Sequence, residues 1–302
     1  MDVLFRSVKE LVTLAEKQNK PISEIMIDQE MHITRRSRED IMAQMDNNLT
    51  VMEEAVEKGL QGVQSKSGLT GGDAVLIRKY MESGNTLSGE LILDAVSKAV
   101  ATNEVNASMG TICATPTAGA AGIVPGTLFA VKNKLNPTRE QMLNYLFTSG
   151  AFGFVVANNA SISGAAGGCQ AETGSAASMA AAAIVEMAGG TPQQSAEGFS
   201  IVMKNMLGLV CDPVAGLVEV PCVKRNAMGA AKALVGADMA LAGVVSRIPT
   251  DEVIEAMHKI GQSMPSSLRE TAKGGLAATP TGKALEAKIF GGKRVSSDNI
   301  TS

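Results

Sequence analysis

Two short segments decide how this chain is read. The first is Ser161-Ile162-Ser163-Gly164-Ala165-Ala166-Gly167-Gly168-Cys169-Gln170-Ala171-Glu172. The second is Cys211-Asp212-Pro213-Val214-Ala215-Gly216-Leu217-Val218-Glu219-Val220-Pro221-Cys222. An Ala-rich run lies between them, and from 141 through 196 only Glu172 and Glu186 carry charge. A helix that is apolar all round must be enclosed by others, so this region is expected at the centre of the fold. Three of the four cysteines fall in the two segments, each within two residues of Gly or Pro. Such residues fix turns, and a thiolate ligand needs a turn that aims its sulfur while nearby N–H groups stabilise its charge. Buried cysteines that merely pack are the alternative.

Composition narrows the fold class. The 302 residues include no Trp, two Tyr and seven Phe, against 17 Met and 31 Gly. Strand-rich chains lean on β-branched and aromatic side chains, whereas Ala, Met, Leu, Glu and Lys form helices. The expectation is a mainly α, compact helical catalytic domain with glycine-rich loops. Residues 1–64 would be an N-terminal helical part, 65–290 the core and 291–302 a frayed tail. A formal charge of −3 gives no reason to expect nucleic acid or an anionic membrane as partner. Four cysteines are too few for a disulfide scaffold. The start of the chain lacks a secretory pattern, and the charge-free run from 141 to 171 is broken by Asn, Ser and Gly. A cytoplasmic, reducing location is expected.

Apolar spacing predicts helices over 5–18, from about Ser23, over 38–60 and over 87–105. Thr138 with Gln141, and Thr191-Pro192 with Gln194, carry the N-terminal signature of a capping box, the latter with Pro at N1. Helices are further expected over 174–189, 225–247 and 251–263, with a short one opening at Ser267. Loops are expected at 65–73 and 109–126.

Several residues in these loops could do chemistry. Thr115 and Thr117 supply hydroxyls, and Gly119 lets backbone N–H groups approach a carboxylate. Lys66 and Ser67 could hold an anion, and Arg225, at a helix entry just past Cys222, could bind a carboxylate. His32 and His258 read as surface or helix-face residues, and Glu172 could orient groups near Cys169. Cys113 is spare, either packed or in contact with a metal centre. Neither G-x-G-x-x-G nor a P-loop ending is present. Zinc is open, but paired Cys-x-x-Cys spacing is absent. Three cysteines also suit a cubane iron–sulfur cluster with one iron left unligated by protein, a Lewis acid able to draw off a hydroxyl.

In order along the chain, the segments Ser67-Gly68-Leu69-Thr70-Gly71-Gly72-Asp73, Asn106-Ala107-Ser108-Met109-Gly110 and Thr115-Pro116-Thr117-Ala118-Gly119-Ala120 join the two cysteine segments. Asn226-Ala227-Met228-Gly229 and Leu268-Arg269-Glu270-Thr271-Ala272 complete the set. This ordered set, from about residue 65 to 290, resembles the alpha chain of the bacterial iron–sulfur-dependent L-serine dehydratases. The resemblance implies a [4Fe–4S] cluster on Cys169, Cys211 and Cys222. It implies conversion of L-serine to pyruvate and ammonia through an aminoacrylate (an L-serine ammonia-lyase), without pyridoxal phosphate. It also implies a separate beta chain, whose family counterpart carries a Ser-Ser-Ser-His-Thr segment with no match here, so the general base is expected on that partner. Some single-chain members cap the open iron with a C-terminal cysteine, whereas this sequence ends Asn299-Ile300-Thr301-Ser302. Competing readings are a pyridoxal-phosphate dehydratase, for which no lysine and tetraglycine loop are found, and a zinc-stabilised interaction subunit without chemistry.

Overall fold

The computed structural model describes residues 4–291. Among them are thirteen α-helices and no β-strand, so the mainly α class expected from composition holds. In chain order the helices are α1 (Val8–Gln18), α2 (Ile22–Thr34), α3 (Arg38–Leu60), α4 (Asp73–Glu82), α5 (Glu90–Ala107), α6 (Ile123–Leu135) and α7 (Arg139–Asn159). There follow α8 (Gly164–Gly167), α9 (Ser175–Met187), α10 (Pro192–Lys204), α11 (Cys222–Leu241), α12 (Thr250–Ser263) and α13 (Pro280–Phe290). No helix of the described residues is long and apolar enough to cross a membrane. Apart from Gly291, the expected tail at 291–302 lies outside the described residues.

Helix α9 is the axis of the molecule. Every residue from Gly167 to Val185 is buried, and α6, α7, α10 and α11 pack around α9. Ala176, Ala177, Ala180, Ala181 and Ala183 supply its contacts in the main core. Methyl side chains let the neighbouring backbones come close, and their burial costs no rotamer entropy. Its first turn grows out of a π-helical turn, Gln170–Gly174, directly after Cys169. Such turns cluster at functional sites.

Both capping boxes form, Thr138 with Gln141 on α7 and Thr191 with Gln194 on α10. Four helices are unexpected, the four-residue α8 among them. Helix α6 falls partly within the expected 109–126 loop, because it shows no amphipathic contrast: all nine residues from Ile123 to Val131 are buried. Its Pro125 stands in the first turn, where no intrahelical donor is lost. A Cβ on Gly126 would lie 2.7 Å from the Ala99 nitrogen, so α5 and α6 touch backbone to backbone. Helix α13 opens on Thr279-Pro280, the same kind of signal as Thr191-Pro192, and α4 follows the 65–73 loop with Asp73 as its first residue. Helix α11 starts at Cys222 rather than 225 and stops at Leu241, short of the expected 247, with Gly243 at φ 87° just beyond. The helix expected at Ser267 is only a 3-10 turn, Ser266–Leu268, because Glu270 then turns into the left-handed region at φ 60°.

Two buried carboxylates fasten helix starts. Glu186 of α9 accepts from the Ile22 and Ser23 amides at 2.6 and 3.2 Å and from the Thr148 hydroxyl at 2.6 Å. Glu104 of α5 accepts from the Asp73 amide at 2.7 Å, at the start of α4. Burial pushes both carboxyls above their ordinary value, and hydrogen bonds to the charged form oppose the shift. A raised carboxyl holds its proton better folded than unfolded. Its stabilising contribution is therefore complete below the ordinary value of 4.5 and is lost as pH rises through the folded value. The stability of wild type relative to Glu186→Gln, measured by urea unfolding, should accordingly fall between pH 4.5 and pH 7.

Candidate active site

The two cysteine segments meet at the N-terminal end of the buried axis. Cys169, Cys211 and Cys222 are 1%, 2% and 6% exposed. The sulfurs of Cys169 and Cys211 and a carboxylate oxygen of Glu172 all lie within 4.8 Å of one another. Cys222, the first residue of α11, is close enough that the charges of Cys169 and Glu172 push its thiol up, adding to the larger effect of burial. Two of the three thiols expected to act together, Cys169 and Cys211, thus lie within ligand distance of each other, and Glu172 joins them.

Different forces hold each sulfur. Cys169 is favoured as a thiolate: it accepts from the Cys211 thiol and from the Thr173 hydroxyl, 3.1 Å away, and the Arg225 guanidinium adds its charge against the cost of burial. Cys211, as donor in that pair and buried, is pushed up. Its backbone is clamped on both sides. The Cys211 amide donates to the Leu268 carbonyl at 2.9 Å, and the Glu270 amide donates to the Cys211 carbonyl at 2.7 Å. This bridge is not local in sequence, and it brings Glu270 to the site.

The Thr115–Gly122 loop is tied to the same place by Asn226. That side chain is fully buried. Its amide donates to the Gly119 carbonyl at 2.7 Å and to the Cys222 carbonyl at 3.0 Å, and its oxygen accepts from the Gly122 amide at 3.1 Å. Thr117 donates to Glu172, and a Cβ on Gly119 would collide with that carboxylate. Gly164 closes the opposite wall. A Cβ there would lie 2.9 Å from Cys211 Sγ and 3.2 Å from an oxygen of each of Glu172 and Glu270. Burial raises the Glu172 carboxyl, the Thr117 hydrogen bond opposes this, and the Glu270 charge raises it further.

The remaining candidates sit as follows. Arg225 pairs with Asp212 at 2.8 Å and donates to the Val210 carbonyl at 2.8 Å, so its guanidinium is taken up beside Cys169. Asp212 in turn accepts from the Leu276 amide at 2.7 Å. Ser67 donates to both oxygens of Glu219, at 2.8 and 2.7 Å, and Glu219 precedes Cys222 by three residues. Lys66 is exposed on the same loop, and Thr115 is half-buried with its hydroxyl 3.4 Å from the Ala121 carbonyl. His32 is exposed on α2, and the His258 ring contacts Gln262 on α12. Cys113 points away from the other three, donating to the Asn48 carbonyl at 3.4 Å. It lines a cavity of about 610 Å³ behind Thr115 and Pro116, with Met45, Met52, Leu146 and Phe154. Asn226, Glu219 and Glu270 have placements that no sequence signal gave. Each is defined by a partner more than 50 residues away.

The donor set suits a thiophilic metal centre, with one anionic sulfur already stabilised, a second clamped and a third on a helix start. The chain is similar to known proteins over most of its length. A family model described as "Serine dehydratase alpha chain" matches residues 17–277. A "Probable L-serine dehydratase, alpha chain" of Bacillus subtilis is 74% identical over 289 residues, covering 96% of each chain. An "L-serine dehydratase, alpha chain" of Peptoniphilus asaccharolyticus is 42% identical over 93% of this chain and 97% of its own. The L-serine dehydratase TdcG of Escherichia coli is 38% identical over 90% of this chain, which spans only 61% of that protein.

Replacing Asn226 by Ala would leave the buried Gly122 amide and Gly119 carbonyl without this partner. Destabilisation of about 2–3 kcal/mol is expected in denaturant unfolding, with faster alkylation of Cys222 in the native protein.

Proposed function

The chain belongs to the serine dehydratase alpha-chain family, and on that footing we propose that it dehydrates L-serine. The product would be an aminoacrylate that hydrolyses to pyruvate and ammonia. The cofactor of this reading is a [4Fe–4S] cluster on Cys169, Cys211 and Cys222. The observation that supports it is the closeness of buried Cys169, Cys211 and Glu172, with buried Cys222 near enough to feel the charges of Cys169 and Glu172 and a cation beside Cys169. When bound by three thiolates, such a cluster keeps one iron free of protein and supplies Lewis acidity to a departing hydroxyl.

The protein's own residues have separable tasks in this reading. Arg225, engaged by Asp212, stabilises the thiolate of Cys169 instead of binding the substrate carboxylate. Thr115 and the backbone at Gly119 hold that carboxylate, Thr117 is engaged by Glu172, and Asn226 keeps their loop fixed against Cys222. Ser67 acts through Glu219, steadying the turn that delivers Cys222, and Lys66 attracts the anionic end of the substrate from the rim. The general base is assigned to a beta chain, on the ground that the Ser-Ser-Ser-His-Thr segment of that family counterpart has no match in this sequence. That TdcG extends well beyond its match to this chain fits a second functional part carried elsewhere. Residues 65–290 form the catalytic core, and the protein works in the reducing cytoplasm.

Anaerobic reconstitution with iron and sulfide, in the presence of the partner chain, should give a brown protein that converts L-serine to pyruvate. Cys211→Ala should lose both the charge-transfer absorbance and the turnover. Retention of full activity by that variant, or metal analysis finding one zinc and no sulfide, refutes the reading.

A further inference from the structure

Glu270 stands at the site without any role in the proposal above. Its backbone is left-handed, at φ 60°, a region that non-glycine residues enter at a cost and mostly where surrounding structure imposes it. Here the imposing structure is the bridge to Cys211, formed by the 2.7 Å bond from the Glu270 amide and the 2.9 Å bond to the Leu268 carbonyl. The consequence is an aimed carboxylate. One Glu270 oxygen, one Glu172 oxygen and the Cys211 sulfur all lie within 3.2 Å of the point where a Gly164 Cβ would be. Only glycine at 164 lets these three groups approach the backbone so closely, and glycine at 119 does the same on the other side of Glu172.

The two carboxylates lack a cation of their own. Neither Glu172 nor Glu270 forms an ion pair with a described Lys or Arg. The nearby Arg225 is held by Asp212 and the Val210 carbonyl, and among the described residues the Glu172 carboxylate has only the Thr117 hydroxyl as a hydrogen-bond partner. Glu270 is exposed while Glu172 is 7% exposed, so the cost of unpaired negative charge falls on Glu172 and is relieved when a positive group joins it. A cluster held by three thiolates does not provide that group, because the thiolates leave it anionic. The α-ammonium of an amino-acid substrate does, and it has three donors to divide between two carboxylates.

We propose that Glu270 is a substrate-recognition residue whose carboxylate, together with that of Glu172, receives the α-ammonium of the substrate. This assignment rests on the dehydratase reading for the identity of the substrate. It divides the site into an ammonium end, at Glu172, Glu270 and Gly164, and a carboxylate end, at Thr115 and the backbone of Gly119. It makes selection for an amino acid over a hydroxy acid of the same length the task of this chain.

The test uses the reconstituted protein with its partner chain and compares L-serine with 3-hydroxypropionate, which keeps the carboxylate and hydroxyl but lacks the amine. Glu270→Gln removes one charge-assisted contact and should weaken L-serine binding by calorimetry, and raise KM, about 10- to 100-fold. Inhibition by 3-hydroxypropionate should change by less than about twofold, with the absorbance of the metal centre unchanged. Glu270→Asp, which keeps the charge, should recover part of the loss. Equal weakening of both ligands, unaltered serine affinity in Glu270→Gln, or altered absorbance would overturn the assignment. A wild-type protein that binds L-serine without converting it to pyruvate refutes the dehydratase reading and leaves the role of Glu270 in ammonium binding intact.

Discussion

Enclosure of α9 is the constraint from which the other features follow. A helix whose residues are buried on all sides from Ser175 to Val185 can exist only if α6, α7, α10 and α11 cover it together. Alanine makes this possible, because larger side chains would hold those helices further from its backbone. The axis is therefore fixed in position and rotation by packing, joined by the hydrogen bonds to Glu186 near its C-terminal end. Its N-terminal end carries the π-helical turn, so Cys169, Glu172 and Thr173 inherit that fixity. The remaining site elements are brought to this end by polar contacts: Asn226 from α11, Thr117 from the loop before α6, and the Cys211 turn from the chain after α10.

Electrostatics at the site are arranged around one thiolate. Arg225 and the hydrogen bonds from Cys211 and Thr173 favour charge on Cys169, while burial and nearby negative groups oppose it on Cys211 and Cys222. Such a set is poised to exchange protons for a metal centre, since binding one requires the remaining thiols to deprotonate. Arg225 has no freedom to leave, being locked by Asp212. That lock explains why a basic residue beside the ligands serves them first.

Much of the fold could be read in the sequence because the informative signals are local. Thr138 with Gln141 and Thr191 with Gln194 announce their helices through contacts three residues long. The spacing of Ile41, Leu49, Met52 and Val56 announces α3, and all four are buried. Helix α6 was hidden by the same property that makes it central, since a segment buried on every side has no polar face to set its period. In the site, the cysteines were visible because Gly and Pro flank them. Asn226, Glu219 and Glu270 were not, because their roles come from partners on distant segments. The left-handed turn at Glu270, where a short helix was expected, depends on a bridge to residue 211 that no window of sequence contains.

The bonds from Cys211 to Leu268 and Glu270, and from Asp212 to Leu276, bear on the order of events during synthesis. While ribosomes are still adding residues 223–267, the three thiols of the site have already been made, but the clasp that orients the middle one does not yet exist. A nascent chain therefore cannot set the Cys211 turn until residues 268–276 have emerged. Fragments that terminate before them lack the segment that holds it.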